Sequence, residues 1–152
     1  MRRIHCAIGC ELAEVNSIAA MLRDLCASLG FDEIDAYQVE LAACEAMVNV
    51  IRHAYRNEPG KTMMVGAGAE DGRLVIEIED RGVPMPAERV RDLKEGVEIA
   101  EVDSRERSSL RESGRGLQII HDVMDEISYE SEGGMNRLRM GKLIAAARRE
   151  EQ

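Results

Sequence analysis

Tryptophan is absent from this sequence of 152 residues, and phenylalanine occurs once. The shortage of aromatic rings leaves few platforms on which single-stranded nucleic acid can stack. Basic residues are also in the minority, because 20 Lys and Arg face 29 Asp and Glu, which gives a formal net charge of −9. Since phosphate contacts with nucleic acid need clustered Lys and Arg, we expect no direct nucleic-acid partner, and any anion site must be local.

Long apolar runs are missing too, and none approaches the roughly 20 residues that a bilayer span requires. The basic start of the chain is followed by Gly9, Glu11 and Glu14 instead of the continuous apolar stretch of a signal peptide. The four cysteines show no C-x-x-C spacing, which argues against zinc and favours buried, reduced thiols. We therefore expect a cytoplasmic protein with no membrane partner.

No internal repeat, low-complexity tract or linker divides the sequence, so we expect a single domain over residues 1–152. A chain of this length buries roughly 70% of its unfolded surface. With 45% hydrophobic and 32% charged residues, the composition is that of an ordinary globular protein.

Two long helices are predicted in the first third of the chain. Apolar residues recur at helical spacing from Glu11 to Leu29, and Gly30 is a suitable stop. A second helix begins near Asp32, a possible N-cap, and runs to about Tyr55.

Strands are predicted on either side of these helices. Residues 3–9 alternate loosely between apolar and polar and predict a first strand. Two further alternating runs, residues 62–69 and 73–80, flank Asp71-Gly72, which is a strong signal for a tight β-hairpin.

The last part of the chain predicts one more long helix and a second hairpin. Apolar residues recur at helical spacing from Leu117, and two short strands follow near residues 126–131 and 136–140. Residues 81–112 form a long polar segment with one short helix around residues 87–94. The element order predicts an α+β sandwich, with three main helices on one face of a mostly antiparallel mixed sheet.

A polar row interrupts the apolar second helix. Glu45, Asn49 and His53 are spaced four residues apart, so they lie on one helix face and can reach one site. A carboxylate beside an amide oxygen suits a hydroxyl that must lose a proton next to a magnesium ion. The alternative is a solvent-exposed polar stripe, although the rest of this helix surface is too apolar to favour it.

Two short glycine-containing segments carry further polar groups. Asp80 ends the core-facing row of its strand and Gly82 follows, so this carboxylate either accepts a hydrogen bond from an amine such as that of adenine or caps the strand end. The segment of residues 113–117, SGRGL, precedes the third long helix. Open N–H groups at a helix start attract phosphate, but the same segment is compatible with a flexible hinge.

The combination and order of these motifs resembles the GHKL ATP-binding superfamily, and within it the anti-sigma-factor serine/threonine kinases. The pattern is E-x-x-x-N on a helix, D-x-G after a strand and G-x-G-L before a helix, and the resemblance covers nearly the whole chain. Its most specific portions are residues 45–55 (EAMVNVIRHAY), 112–120 (ESGRGLQII) and 124–126 (MDE). The resemblance implies a Bergerat-type sandwich with an ATP lid.

The resemblance also implies roles for individual residues. Glu45 would be the general base for the substrate hydroxyl, Asn49 a magnesium ligand and Asp80 the contact to adenine. The other residues implied in binding the nucleotide are His53, Gly82, Ser113, Gly114, Arg115, Gly116 and Leu117.

Three positions depart from the pattern of the relatives. Pro84 stands where some relatives have a second glycine, which predicts a stiffer start of the lid. Glu112 stands where some have an arginine, so the contact to the terminal phosphate is open between Arg111 and Arg115. The last hairpin carries Asn136 in place of a common threonine, so the hydroxyl contact is either replaced by the amide or lost.

The resemblance implies a homodimeric anti-sigma factor that depends on ATP and Mg²⁺. It would sequester a sigma factor and phosphorylate a serine or threonine of an anti-anti-sigma antagonist protein. One alternative is an ATP-dependent partner-switching module without kinase activity, although Glu45 argues against it because binding alone needs no base. The other is a GHKL ATP hydrolase that uses Glu45 on water.

Overall fold

A computed structural model describes residues 3–97 and 107–144, with the side chains of residues 107–113 outside that description. The strands are β1 Ile4–Gly9, β2 Thr62–Glu70, β3 Arg73–Asp80, β4 Glu126–Glu132 and β5 Met135–Leu143. The α-helices in these ranges are α1 Leu12–Ser28, α2 Glu33–Asn49, α3 Ala87–Glu95 and α4 Arg107–Val123, and a single turn of π-helix, Val50–Ala54, continues α2.

The five strands form one sheet in the order β1-β2-β3-β5-β4. The predicted α+β class is confirmed, and each of the four pairings between these strands is antiparallel rather than mixed. The hairpin between β2 and β3 turns at Asp71 and Gly72, whose φ angles are 49° and 76°. Positive φ at both positions is the requirement of a type I′ turn, which explains the Asp-Gly signal in the sequence.

The first two helices lie where their periodicity predicts. Gly30 follows α1 with φ 89°, a conformation that ends a helix at little cost for glycine. The side chain of Asp32 accepts a hydrogen bond of 2.7 Å from the backbone N–H of Asp35, which confirms the predicted N-cap of α2.

The third long helix begins earlier than the sequence predicts. It starts at Arg107, six residues before Ser113, and ends at Val123. The short helix predicted over residues 87–94 is confirmed as α3, which is one residue longer. Residues 98–106 of the predicted loop lie outside the described residues.

The core lies between the helices and one face of the sheet. On β3 the side chains of Leu74, Ile76 and Ile78 are at most 1% exposed, as expected of alternate residues on a strand that has one covered face. The opposite face carries ion pairs across β3 and β5, such as Arg137 to Glu79 at 2.9 Å. Within the described residues, no helix has both the length and the apolar character needed to cross a bilayer.

The cap of α2 can be tested by substitution. Asp32→Ala removes the acceptor of the Asp35 N–H group and should lower the free energy of unfolding by about 1 kcal/mol. Asp32→Asn keeps an acceptor oxygen and should retain most of the stability. Urea denaturation followed by circular dichroism measures both variants, and an equal loss in the two would assign the effect to charge instead of capping.

Candidate functional site

A cavity of about 270 Å³ opens between the end of α2, the π-turn, the sheet and the segment that leads into α3. Most of its wall is apolar. The apolar wall includes Ala46, Val50, Ile78, Leu93, Leu117, Ile120 and Leu138. The polar side chains that line it are Asn49, Arg52, His53, Arg56, Asp80, Arg89 and Tyr129. An apolar slot with a few convergent polar groups is the usual form of a small-molecule site.

Asp80 closes β3 at the wall of this cavity. Its side chain is 7% exposed, and Oδ1 accepts hydrogen bonds from the Gly82 backbone N–H at 2.9 Å and from Asn136 Nδ2 at 2.8 Å. The two roles considered from the sequence therefore coincide, because Asp80 caps the strand end and also lines the cavity.

Gly82 is required by a close approach of two backbones. A Cβ atom at this position would lie 2.4 Å from the carbonyl oxygen of Ala54, well inside van der Waals contact. The next residue, Val83, donates its N–H to the same carbonyl at 2.8 Å. The loop after β3 is thus joined to the end of the π-turn.

Tyr55 reinforces this junction, and sequence reasoning gave it no role. Its buried hydroxyl donates to the Thr62 carbonyl at 2.7 Å and accepts from the Arg81 N–H at 2.9 Å. The side chain therefore ties the end of the helix to the start of β2 and to the loop after β3. No local sequence pattern predicts these hydrogen bonds, because the two partners of Tyr55 lie 7 and 26 residues away along the chain.

The polar row of the second helix is divided by the structure. Asn49 and His53 line the cavity, whereas Glu45 does not. Glu45 is half-buried against α4, where a Cβ atom on Gly116 would lie 2.5 Å from Glu45 Oε2. The π-turn, in which the Tyr55 N–H donates to the Val50 carbonyl at 3.0 Å, changes the winding directly after Asn49, so α-helical spacing does not hold there.

Asn49 has a buried polar atom that lacks a hydrogen-bond partner among the described residues. Its Nδ2 atom has no hydrogen bond to any part of the chain that the structure describes. Buried side-chain amides normally have partners, and one without them in a native structure requires an explanation such as a ligand. The Asn49 side chain therefore fits a role in holding a bound group.

Basic side chains line the cavity on the side of the π-turn and α3. The pKa of His53 is lowered, first by partial burial and then by the positive charges of Arg89 and Arg52. Burial also lowers the pKa of Arg89. Arg52, Arg56 and Arg89 make a local cationic wall in a protein of net charge −9, and these three arginines were missed by the sequence analysis.

The glycine-rich segment lies inside α4 instead of at its start. Because amides within an α-helix bond four residues back, Gly114 and Gly116 offer no open phosphate cradle in this structure, which corrects the interpretation of residues 113–117 as a helix N-terminus. Leu117 is buried in the cavity wall, whereas Arg115 is exposed and outside it. The side chains of Ser113 and Arg111 lie outside the described residues.

The segment over the cavity is fixed at two points. The Met85 N–H donates to the Tyr129 hydroxyl at 2.8 Å, and burial raises the pKa of that hydroxyl. After α3, the Val97 N–H donates to Gln118 Oε1 at 2.7 Å. The described part of the predicted lid is therefore attached to β4 and to α4.

Residues 9–142 match the histidine kinase-like ATPase domain. The chain belongs to this family. The serine-protein kinase RsbW of Bacillus cereus strain AH820 is 28% identical to it over 136 residues, which cover 90% of this chain and 82% of the relative. RsbW of Bacillus thuringiensis strain Al Hakam is 29% identical over the same lengths. The resemblance to anti-sigma-factor kinases is confirmed by these relatives.

Solved structures share the histidine kinase-like ATPase fold. SiaB in the SiaB-SiaC complex from Pseudomonas aeruginosa gives a TM-score of 0.63 at 18% identity, over 91% of this chain and 88% of that one. The RsbU and RsbW domains of Rv1364c from Mycobacterium tuberculosis also give 0.63, at 16% identity, over 95% of this chain and 33% of that one. At these identities the likeness shows the fold alone.

The contact between Gly82 and Ala54 predicts that this position of the ATPase domain tolerates no side chain. Gly82→Ala should lower the free energy of unfolding by about 1–3 kcal/mol, the range for overpacking a well-packed site. Gly66→Ala is the matched control, because a Cβ atom there meets nothing nearer than His5 Cδ2 at 3.6 Å. Thermal denaturation of both variants tests this expectation, which fails if Gly82→Ala is as stable as Gly66→Ala.

Proposed function

We propose that this ATPase domain binds magnesium ATP in the cavity and transfers the terminal phosphate to a serine or threonine of an anti-anti-sigma antagonist protein, and that it sequesters a sigma factor as a homodimer. The observation that supports the proposal is that Asp80 and Asn49 line one apolar cavity with a cationic wall. The Asp80 carboxylate is fixed by a hydrogen bond from Asn136, and the Asn49 Nδ2 atom has no hydrogen-bond partner among the described residues. Relatives named serine-protein kinase, which align with 90% of the chain, support the choice of reaction.

The adenine base fits the part of the cavity beside Asp80. Apolar side chains of the sheet and of α4, such as Ile78 and Ile120, supply flat contact for a planar ring. The Asp80 carboxylate accepts hydrogen bonds and donates none, so it is complementary to the exocyclic amine of adenine. These residues bind and orient the nucleotide without taking part in the chemistry.

The phosphate groups fit the side of the cavity formed by the π-turn and α3, where the basic residues lie. Arg52 and Arg89 offer guanidinium groups, which suit phosphate oxygens. Asn49 would hold magnesium through its amide oxygen, and phosphate oxygens and water are the other ligands expected of this ion. When bound, the ion neutralises charge that develops on the transferred phosphate.

Glu45 is the proposed general base. It lies one helical turn before Asn49, outside the cavity wall and against Gly116, and the hydroxyl of the antagonist protein would have to reach it there. The carboxylate would accept the proton of that hydroxyl as the new bond to phosphorus forms. Most of the remaining rate enhancement in phosphoryl transfer comes from alignment and electrostatics.

One observation favours a partner-switching module without kinase activity. Glu45 does not reach the cavity wall, and α4 packs against it, so ATP binding alone does not engage the carboxylate. Hydrolysis of ATP is the remaining alternative, and it would use the same carboxylate on water. The destination of the phosphate distinguishes the three functions.

Glu45→Gln should separate nucleotide binding from phosphoryl transfer. Glutamine is nearly isosteric and keeps an acceptor oxygen, but a neutral amide cannot take the serine proton. Phosphorylation of the antagonist should therefore fall by roughly a hundredfold to ten-thousandfold, the usual contribution of general-base catalysis, while ATP affinity stays within about threefold. The antagonist protein is first identified by crosslinking in the native cell. Incubation of each variant with this antagonist and radiolabelled ATP then measures phosphate transfer, and calorimetry measures ATP affinity.

Asn49→Asp is the companion variant, since it disturbs the proposed metal ligand and should lose magnesium-dependent nucleotide binding as well as turnover. Parental transfer by Glu45→Gln would remove Glu45 from catalysis. Absence of transfer in the parent protein, with intact ATP binding, would favour the partner-switching module. Release of inorganic phosphate without labelled protein would favour the hydrolase.

Gly116→Ala should move the base without changing its chemistry. The added methyl group would lie 2.5 Å from Glu45 Oε2, and the flexible carboxylate end must shift to make room. Transfer should fall by up to roughly a hundredfold, as expected for a displacement of about 1 Å. The double variant with Glu45→Gln should lose no more than Glu45→Gln alone, because both changes act on one group. Additive losses would show that Gly116 acts elsewhere.

A further inference from the structure

A line of three polar side chains crosses the sheet next to the cavity. In the strand register, Asn136 of β5 faces Asp80 of β3 on one side and Ser131 of β4 on the other. The Ser131 hydroxyl donates to Asn136 Oδ1 at 2.7 Å, and Asn136 Nδ2 donates to Asp80 Oδ1 at 2.8 Å. The same Nδ2 donates to the Gly82 carbonyl at 3.0 Å.

The orientation of the Asn136 amide follows from its partners. A carboxylate and a backbone carbonyl only accept hydrogen bonds, so the NH₂ group must face Asp80 and Gly82. The amide oxygen then faces Ser131, whose hydroxyl is able to donate. Each polar atom of this side chain, which is 1% exposed, therefore has a partner of the matching kind.

The network holds one oxygen of Asp80 and leaves the other for a ligand. Oδ1 receives two donors, from Gly82 and Asn136. The structure gives Oδ2 no hydrogen-bond partner within residues 3–97 and 114–144, and the Asp80 side chain lines the cavity. The Asp80 carboxylate, which lines the cavity, therefore keeps one oxygen available to accept a hydrogen bond from a ligand.

We propose that Asn136, supported by Ser131, is a positioning residue that fixes Asp80 as an acceptor for the 6-amino group of a purine and so sets the preference of the site for adenine over hypoxanthine. This inference rests on the proposed function, since it concerns the base that the same cavity accepts. Hypoxanthine carries an oxygen at C6, which would face a carboxylate oxygen, and a fixed Asp80 cannot rotate to avoid the repulsion.

A purely structural role is the competing explanation. Asn136 also satisfies the Gly82 carbonyl and thereby supports the loop after β3, so its loss must weaken the fold to some degree. The two explanations differ in the ratio of nucleotide affinities. Loosening of the fold weakens adenine and hypoxanthine nucleotides alike, whereas release of Asp80 weakens only the nucleotide that donates to it.

Asn136→Leu is the main test, because leucine has a similar size and no polar atoms. ADP binding should weaken roughly 10- to 100-fold, the range for losing a hydrogen bond to a charged group, while IDP binding should change by less than about threefold. Isothermal titration of the intact protein with ADP and IDP, with magnesium present, measures both affinities. A fall in the ADP-to-IDP preference supports the inference, and an equal weakening of both nucleotides overturns it.

Ser131→Ala keeps the test decisive if the leucine variant does not fold. Ser131 is exposed, and the substitution leaves Asn136 in place but removes the hydroxyl that donates to Asn136 Oδ1. The preference for ADP over IDP should therefore fall about two- to fivefold, as expected for the loss of one neutral hydrogen bond. Ser128→Ala is the matched control on the same strand, with no expected change, because Ser128 pairs with Arg139, far from Asp80 along β5. An unchanged preference in Ser131→Ala overturns the inference.

The parent protein separates this inference from the function on which it rests. Binding of neither ADP nor IDP to the parent would overturn the proposed function and the inference with it. Tight ADP binding with no preference over IDP would overturn the inference and leave ATP binding by the cavity standing.

Discussion

The backbone junction between the π-turn and the loop after β3 is the constraint on which the site depends. One carbonyl, that of Ala54, receives the Val83 N–H group and lies so close to Gly82 that no Cβ atom fits. The Tyr55 hydroxyl bridges the same two segments. Because the helix supplies Asn49 and the strand supplies Asp80, this junction fixes the position of the helix end relative to the strand end. A packed interior transmits such constraints with little compliance.

The charge of the cavity wall is opposite in sign to the net charge of the protein. The net charge of −9 repels anions at long range, but exposed charges more than about 8 Å away are largely screened at physiological ionic strength. The cavity itself is lined by Arg52, Arg56 and Arg89. Arg89 is partly buried, whereas Arg52 and Arg56 are exposed, so the positive charge of Arg89 is the least screened of the three.

The structure separates the groups that bind from the group that reacts. Asn49, His53 and Asp80 line the cavity, whereas Glu45 lies behind its wall against Gly116 of α4. The position of α4 therefore controls the surroundings of Glu45. The Val97 N–H after α3 donates to Gln118 of α4. The segment over the cavity is therefore bonded to the same helix that packs against Glu45.

The sequence by itself determined the local features of this protein: the helices of the first third, the cap at Asp32, the turn at Asp71-Gly72 and the placement of Asp80 at a strand end. Each depends on residues within a few positions, which periodicity and turn chemistry record. Only the tertiary structure decided that α4 starts at Arg107, that the π-turn splits the polar row, and that Asn136 contacts Asp80 across 56 residues. These outcomes depend on packing between segments distant in sequence, and packing energies exceed the local propensities from which a sequence pattern is interpreted.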